Sequence, residues 1–316
     1  MNKKLLALCL SAAGRLYPSA TMKTILSFGE VLWDTFPDGK KAGGAPMNVA
    51  LHLVQQNVKS SLASRVGEDP SGDELVEFLK RSDLFSELIQ RDELLPTCEV
   101  TIALDENQQA TYTFPEPVSW DNIQPDSSLT NAIVDASAVI FGSLACREET
   151  TRHTLLNLLH ETKALKIFDV NLRPPHYMLS TVETLTAMAD VVKMNEEEAK
   201  LLIGGSNRNL KEQINEFRSK YHSKTICVTR GENGAIVWHD HEFYESPGCP
   251  AHGGDSVGAG DAFLATFVAG LLKDEPMQQL VDNACAVGAF VASKRGANPP
   301  YDDRIKQLLG LPWLIL

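Results

Sequence analysis

The sequence predicts an α/β domain built on a mainly parallel sheet with a small β insertion. Three observations carry that reading. From Lys23 onward, short apolar runs of strand length alternate with helical patterns, the rhythm of successive βαβ units. Glu99–Leu104 and Ala110–Phe114 break the rhythm, alternating polar and apolar residues on either side of the turn-prone Asp105-Glu106-Asn107, which is a hairpin signature. No internal repeat, low-complexity run or linker divides the chain into independent halves.

Thr24–Phe28 is a first buried strand, succeeded by a helix over Pro46–Gln55, a strand at Ser60–Ser64 and a helix over Gly72–Lys80. After the hairpin, strands at Val139–Phe141, Ile167–Val170 and Val191–Met194 alternate with helices over Glu148–His160 and Thr181–Ala189. Helices over Glu196–Leu202 and Leu210–Lys220 lead to strands at Thr225–Thr229 and Ala235–Trp238. Two long helical patterns, Gly258–Leu272 and Met277–Lys294, close the chain. The hairpin, sitting between helices, reads as a lid over a cleft.

Composition narrows the function. The 316 residues are 43% hydrophobic and 22% charged, which excludes disordered and collagen-like chains. With 29 Lys+Arg against 41 Asp+Glu the net charge is −12, opposite to the basic footprint of a nucleic-acid binder. No stretch after the first residues approaches a membrane span. Six cysteines, Cys9, Cys98, Cys146, Cys227, Cys249 and Cys285, form no C-x-x-C pair, so reduced thiols in a cytoplasmic protein are expected.

Residues 1–21 read separately. Asn2-Lys3-Lys4 before Leu5–Leu10 has the outline of a short signal peptide, but Arg15 interrupts the stretch beyond Leu10. A start at Met22 would lead directly into the first strand, so a disordered leader or a translated upstream segment is expected before a single domain over 22–316.

The chemistry concentrates in Gly253–Phe263. Gly258, Ala259 and Gly260 let backbone approach a ligand closely, and the helix that begins there aims its free N–H groups and positive dipole end into the same space. That is an anion cradle, with Asp261 in the first helical turn. Spacing alone leaves open a tightly packed helix start whose Asp261 merely complements the dipole. There is no G-x-x-x-x-G-K-[ST] loop, no G-x-G-x-x-G after the first strand, no H-E-x-x-H and no G-x-S-x-G. His239-Asp240-His241 has H-x-H spacing but falls at an expected strand turn and reads as solvated surface.

Asp255-Ser256-Val257-Gly258-Ala259-Gly260-Asp261 resembles the D-[TS]-x-G-A-G-D signature of the ribokinase-like (PfkB) carbohydrate kinases. Gly43-Gly44-Ala45-Pro46-Met47-Asn48-Val49-Ala50 resembles the G-G-A-P-x-N-x-A signature of the fructokinase branch, and Gly29–Asp34 its opening loop. Gly67–Gly72, Asp169-Val170-Asn171-Leu172-Arg173, Asn195–Glu198 and Thr229–Gly234 resemble its G-x-D-x-x-G, D-x-N-x-R, N-x-x-E and T-x-G-x-x-G motifs. The motifs occur in the family's order from about Gly29 to Asn298.

The resemblance implies a ribokinase-like three-layer α/β/α fold, its lid drawn from about residues 30–45 and 95–120. It implies Asp261 as base, an anion hole at Gly258-Ala259-Gly260, and sugar contacts from Asp34, Gly44, Asn48 and Arg173. Taken alone, Asp34 could be a turn residue, Asn48 an inward helix polar and Arg173 a surface ion-pair residue. Asn195 and Glu198 read plainly as a capping box; the resemblance adds that they order the water shell of Mg²⁺ on ATP. It also implies a nucleotide loop at Thr229, Gly231 and Gly234, with Asn283 beside adenine, and a K⁺ near Asp255 and Asn298.

Two departures from the pattern concern Ser256, where threonine is more frequent, and Phe114–Asp121, which lacks an arginine many plant fructokinases carry and resembles a bacterial Pro-Val-[AS]-Trp-Asp variant. The expected activity is transfer of the ATP γ-phosphate to D-fructose. The alternatives are 2-keto-3-deoxygluconate or another sugar or nucleoside, and a non-catalytic sugar- or nucleotide-binding regulator. The hairpin Glu99–Phe114 has no basic residue for a substrate carboxylate, favouring a neutral sugar. A homodimer paired through the lids is the expected assembly.

Overall fold

The computed structural model describes residues 23–36, 39–104, 110–204, 209–250 and 253–312. The expected leader, 1–21, and the turn Asp105-Glu106-Asn107 lie outside the described residues.

The chain opens with β1 (Thr24–Phe28), β2 (Leu32–Phe36), β3 (Gly39–Gly43), α1 (Ala45–Gln55), β4 (Lys59–Gly67), α2 (Pro70–Arg81) and β5 (Ile89–Asp92). Next come β6 (Glu99–Leu104), β7 (Ala110–Thr113), α3 (Ser127–Asp135), β8 (Ala138–Gly142), α4 (Glu149–Glu161), β9 (Leu165–Asp169) and α5 (Leu179–Met188). The last part holds β10 (Val191–Asn195), α6 (Glu196–Ile203), α7 (Leu210–Tyr221), β11 (Thr225–Thr229), β12 (Ala235–His239) and β13 (Glu242–Ser246). It ends with α8 (Ala259–Leu272), α9 (Met277–Ala292) and α10 (Asp303–Leu308).

Among the described residues, nine strands form the main sheet in the order β13-β12-β11-β10-β9-β8-β1-β4-β5. From β11 to β5 neighbours are parallel, while β12 and β13 are antiparallel additions at one edge. Both faces are covered, which is why these strands read as continuous apolar runs. On one face Ile25, Ile140, Ile167 and Val237 pack under α1, α8 and α9. On the other, Phe28, Phe141, Phe168 and Met194 pack against residues of α3, α4, α5 and α7. The result is the three-layer α/β/α arrangement that the sequence predicts.

The predicted hairpin is β6–β7, and it belongs to a second sheet in the order β3-β2-β6-β7. Its two halves, far apart in sequence, join through parallel pairing of Trp33, Asp34 and Thr35 with Glu99, Val100 and Thr101. Asp69 ties this sheet's base to α2. Its carboxylate caps the helix by accepting the Gly72 N–H at 2.7 Å and also accepts the Thr97 N–H at 2.8 Å. His239-Asp240-His241 forms the β12–β13 turn, with Asp240 and His241 at positive φ. No described helix is long and apolar enough to cross a membrane.

Candidate active site

In a parallel sheet the carboxyl ends of the strands share one edge, and ligands bind there. The predicted residues gather at that edge. Asp169 ends β9 and precedes Arg173; Asn195 ends β10; Thr229 ends β11.

Asp261 is the third residue of α8. The helix is capped by Gly258, whose φ of 77° is left-handed and where a Cβ would lie 2.5 Å from the Ala297 Cα. No larger residue fits this turn. The Ala259 N–H is engaged by the Ser256 carbonyl at 3.3 Å, so the cradle rests mainly on the remaining N–H groups of the first turn and the dipole.

Asn48 Nδ2 donates to Asp261 Oδ2 at 2.8 Å, and Asn298 Nδ2 donates to Asn48 Oδ1 at 2.7 Å. Asn48 reaches this point because α1 starts at Gly44, whose φ of 111° lets its backbone pass the Glu30 carbonyl. His52, one turn further along α1, fixes the loop behind Gly258. Its Nε2–H donates to the Ala297 carbonyl at 2.9 Å, and Nδ1 accepts from the Tyr301 hydroxyl at 2.9 Å. Burial lowers its pKa to about 4, so it stays neutral in that role.

Carboxyl groups crowd the centre. Burial raises the pKa of Asp261, against Lys193, Asn48 and Arg173. Burial likewise raises Asp34 to about 6, opposed by Arg173 and Lys41. Arg173 is exposed at the edge and lowers the pKa of each of Glu30, Asp34, Asp169 and Asp261, which places it over the cleft. Lys41 is the register partner of Asp34 in β3. The second sheet therefore does carry basic side chains, Lys40 and Lys41, in the half outside the predicted hairpin. The absence of basic residues from the hairpin therefore does not by itself favour a neutral sugar.

Sequence reasoning passed over Glu30 and Lys193. Glu30 is 2% exposed, and its Oε2 is buried without a hydrogen-bond partner. Burial pushes its pKa to about 7, although its own N–H, Arg173 and the Ala45 N–H favour the charged form. A carboxyl raised from 4.5 binds its proton more tightly in the folded chain, so stability falls as pH rises through 4.5 to about 7. Glu30→Gln keeps the acceptor for the Ala45 N–H and removes that charge. It is expected to stabilise the protein by up to about 3 kcal/mol at pH 8 and hardly at all at pH 4.5. Urea unfolding at both pH values checks this, and equal effects would refute a buried ionising carboxyl.

Asn195 and Glu198 form the predicted capping box. Asn195 Oδ1 accepts the Glu198 N–H and Glu198 Oε2 accepts the Asn195 N–H, each at 2.8 Å. Glu198 Oε1 also accepts the Leu172 N–H at 2.8 Å, tying this helix start to the Arg173 loop.

Beside Asp261 lies a cavity of about 410 Å³ lined by Asn195, Thr229, Gly231, Gly234, Ala259 and Gly260. Gly234, at φ 78°, leaves no room for a Cβ against the Ser246 carbonyl. Phe263, Gly288 and Ala289 form its apolar wall. Asn283 does not reach it. It points from another face of α9 into a separate cavity with Gln56 and Gln279, because only the 285, 288, 289 and 292 stripe of α9 faces the first. Asn283 thus lines a different cavity from Thr229, Gly231 and Gly234, with which the resemblance had grouped it.

Comparison with known proteins gives a consistent picture. The model for "pfkB family carbohydrate kinase" matches residues 22–304. A sugar kinase from Pyrococcus horikoshii, described as uncharacterized, is 30% identical over 279 residues, covering 84% of this chain and 86% of that protein. The fructokinase of Escherichia coli is 27% identical over 294 residues, covering 85% of this chain and 93% of that protein. The crystal structure of the Pyrococcus protein in complex with ATP superposes with a TM-score of 0.76 at 28% identity, covering 90% of this chain and 97% of that one.

Proposed function

Because this chain belongs to the pfkB family of carbohydrate kinases, we propose that it transfers the γ-phosphate of ATP to D-fructose, giving fructose 6-phosphate. The observation that carries the reading is Asp261 itself. Its carboxylate stands in the first turn of α8, next to Gly260 of the 410 Å³ cavity wall, bonded to Asn48 and within the field of Arg173.

In this reading ATP occupies the cavity, its base against Phe263, Gly288 and Ala289 and its phosphates toward the glycine turn. Asp34 and Asn48 hold sugar hydroxyls, with Gly44 giving backbone access and Arg173 closing the edge. As the sugar oxygen bonds to phosphorus and the bond to ADP breaks, the hydroxyl proton passes to Asp261. The N–H groups around Gly258, Ala259 and Gly260 meet the charge on the transferring group. The β3-β2-β6-β7 sheet acts as a lid that excludes water, and it offers the pairing surface for a homodimer. Residues 22–316 act as one domain, in a cytoplasmic protein.

Mg²⁺ fits this site through water. The oxygens of Asn195 and Glu198 already accept backbone N–H groups and keep lone pairs for an ordered shell. When bound, the metal neutralises phosphate charge. A K⁺ fits near Asp255, whose carboxylate accepts the Val257 and Gly296 N–H groups at 3.2 and 3.1 Å, since Asn298 Oδ1 is a buried acceptor with no donor.

Lys41 opposite Asp34 favours a second reading, in which the acceptor is an acidic sugar such as 2-keto-3-deoxygluconate. An ADP-release assay with Mg-ATP across fructose, ribose, 2-keto-3-deoxygluconate and adenosine separates the two. Fructose should give the highest kcat/KM, and turnover of none of the four would overturn the proposal.

A further inference from the structure

The floor beneath Asp261 carries an ion pair that the transfer step leaves unused. Lys193 on β10 and Asp169 on β9 are register partners, 6% and 3% exposed. Lys193 Nζ donates to both Asp169 oxygens, at 2.9 and 3.1 Å. A buried pair of this kind is often no more stabilising than an apolar pair of similar volume, so stability alone is a poor reason for it. Its placement suggests another. Nζ lies 3.0 Å from where a Cβ of Gly260 would stand, which sets the ammonium directly against the first turn of α8, one residue from Asp261.

We propose that Lys193 is a positioning residue that keeps Asp261 ionised, with Asp169 setting how much of the ammonium's field reaches it. This rests on Asp261 being the base of the proposed transfer. The other groups facing Asp261 are Arg173 after β9, Glu30 after β1 and the neutral Asn48 on α1; Glu198 on α6 faces Lys193. Burial works against the Lys193 ammonium, but Asp169, Glu198 and Asp261 together hold its pKa above the ordinary value. It is therefore a permanent positive charge across the working pH range.

Opposite consequences attach to the two halves of the pair. Without the ammonium, Asp261 keeps its burial and loses its strongest opposing charge, while Asp169 takes up a proton. Without the Asp169 charge, the ammonium is left to Asp261 and Glu198. The test is the pH profile of kcat/KM on fructose and Mg-ATP for the wild type, Lys193→Met, Lys193→Arg and Asp169→Asn. A carboxyl ¹³C titration of Asp261, its resonance identified by loss in Asp261→Asn, accompanies it.

In Lys193→Met the acid limb moves to higher pH, and kcat/KM at pH 6 falls by about tenfold more than at pH 8. Lys193→Arg restores the wild-type limb, and Asp169→Asn moves it to lower pH. An unmoved limb, or a loss uniform in pH that tracks the melting temperature, overturns the inference. Should Lys193→Met not fold, Asp169→Asn and Lys193→Arg decide it. If the wild type does not turn over fructose, the function proposed above fails while the carboxyl titration still tests the pair.

Discussion

Asp261→Asn is expected to lower kcat by about 10²–10⁴-fold with little change in either KM. Asparagine fills the same space and still offers Asn48 Nδ2 an acceptor in place of the present 2.8 Å bond. What it cannot do is take the hydroxyl proton. The glycine turn is untouched, so binding of both substrates survives while the step that needs a base does not. Steady-state kinetics and calorimetric titration of both substrates distinguish this from a binding defect. Full activity in the variant would remove Asp261 from the chemistry, and equal loss of binding would recast it as a sugar contact.

The largest stability effect is expected at Arg147. Its guanidinium donates from Nε and Nη2 to the two Asp121 oxygens at 2.8 and 2.7 Å, and from Nη2 to the Pro115 carbonyl at 2.8 Å. It also lies over the Trp120 ring at 4.1 Å, and the side chains of the pair are 3% and 2% exposed. Asp121 in turn accepts the Val118 N–H at 2.9 Å, so the pair holds the segment that returns from β7 to the body. Arg147→Met strands a buried carboxylate and should cost about 3–5 kcal/mol in chemical denaturation. Adding Asp121→Leu should recover much of that loss, because the cost lies in the unpaired charge. A single variant within about 1 kcal/mol of wild type, on the order of an exposed pair, would show that the pair is solvated.

The main sheet was legible because its strands are buried on both faces. Val191–Met194 and Thr225–Thr229 are apolar enough to leave little choice, and their ends agree with the structure within a residue. The second sheet was half legible. β6–β7 alternates cleanly, but β2 and β3 are short and carry Lys40 and Lys41, so period alone does not mark them. Edge strands β5 and β13 and the short helices α3 and α10 escaped as well, being short or only partly buried.

At the site, the turn at Gly258 could be read because its left-handed backbone demands glycine, whereas Asp261 stood out only through the resemblance, since spacing left its role open. Lys193 could not, since one lysine inside an apolar strand says nothing about which neighbour pairs with it. Asn283 shows the converse. A helix presents several faces, and a position carried over by resemblance does not say which one meets the cavity.

The link from Asp261 through Asn48 to Asn298, with Ala297 and Tyr301 bound to His52, has a consequence for synthesis. Partners some 210 to 250 positions apart close this corner, and half of them lie at positions 297–301. A chain emerging from the ribosome amino-end first can assemble much of the sheet before those residues exist. Asn48 and His52 must wait for them. A chain cut short before position 297 would therefore lack the brace behind Asp261.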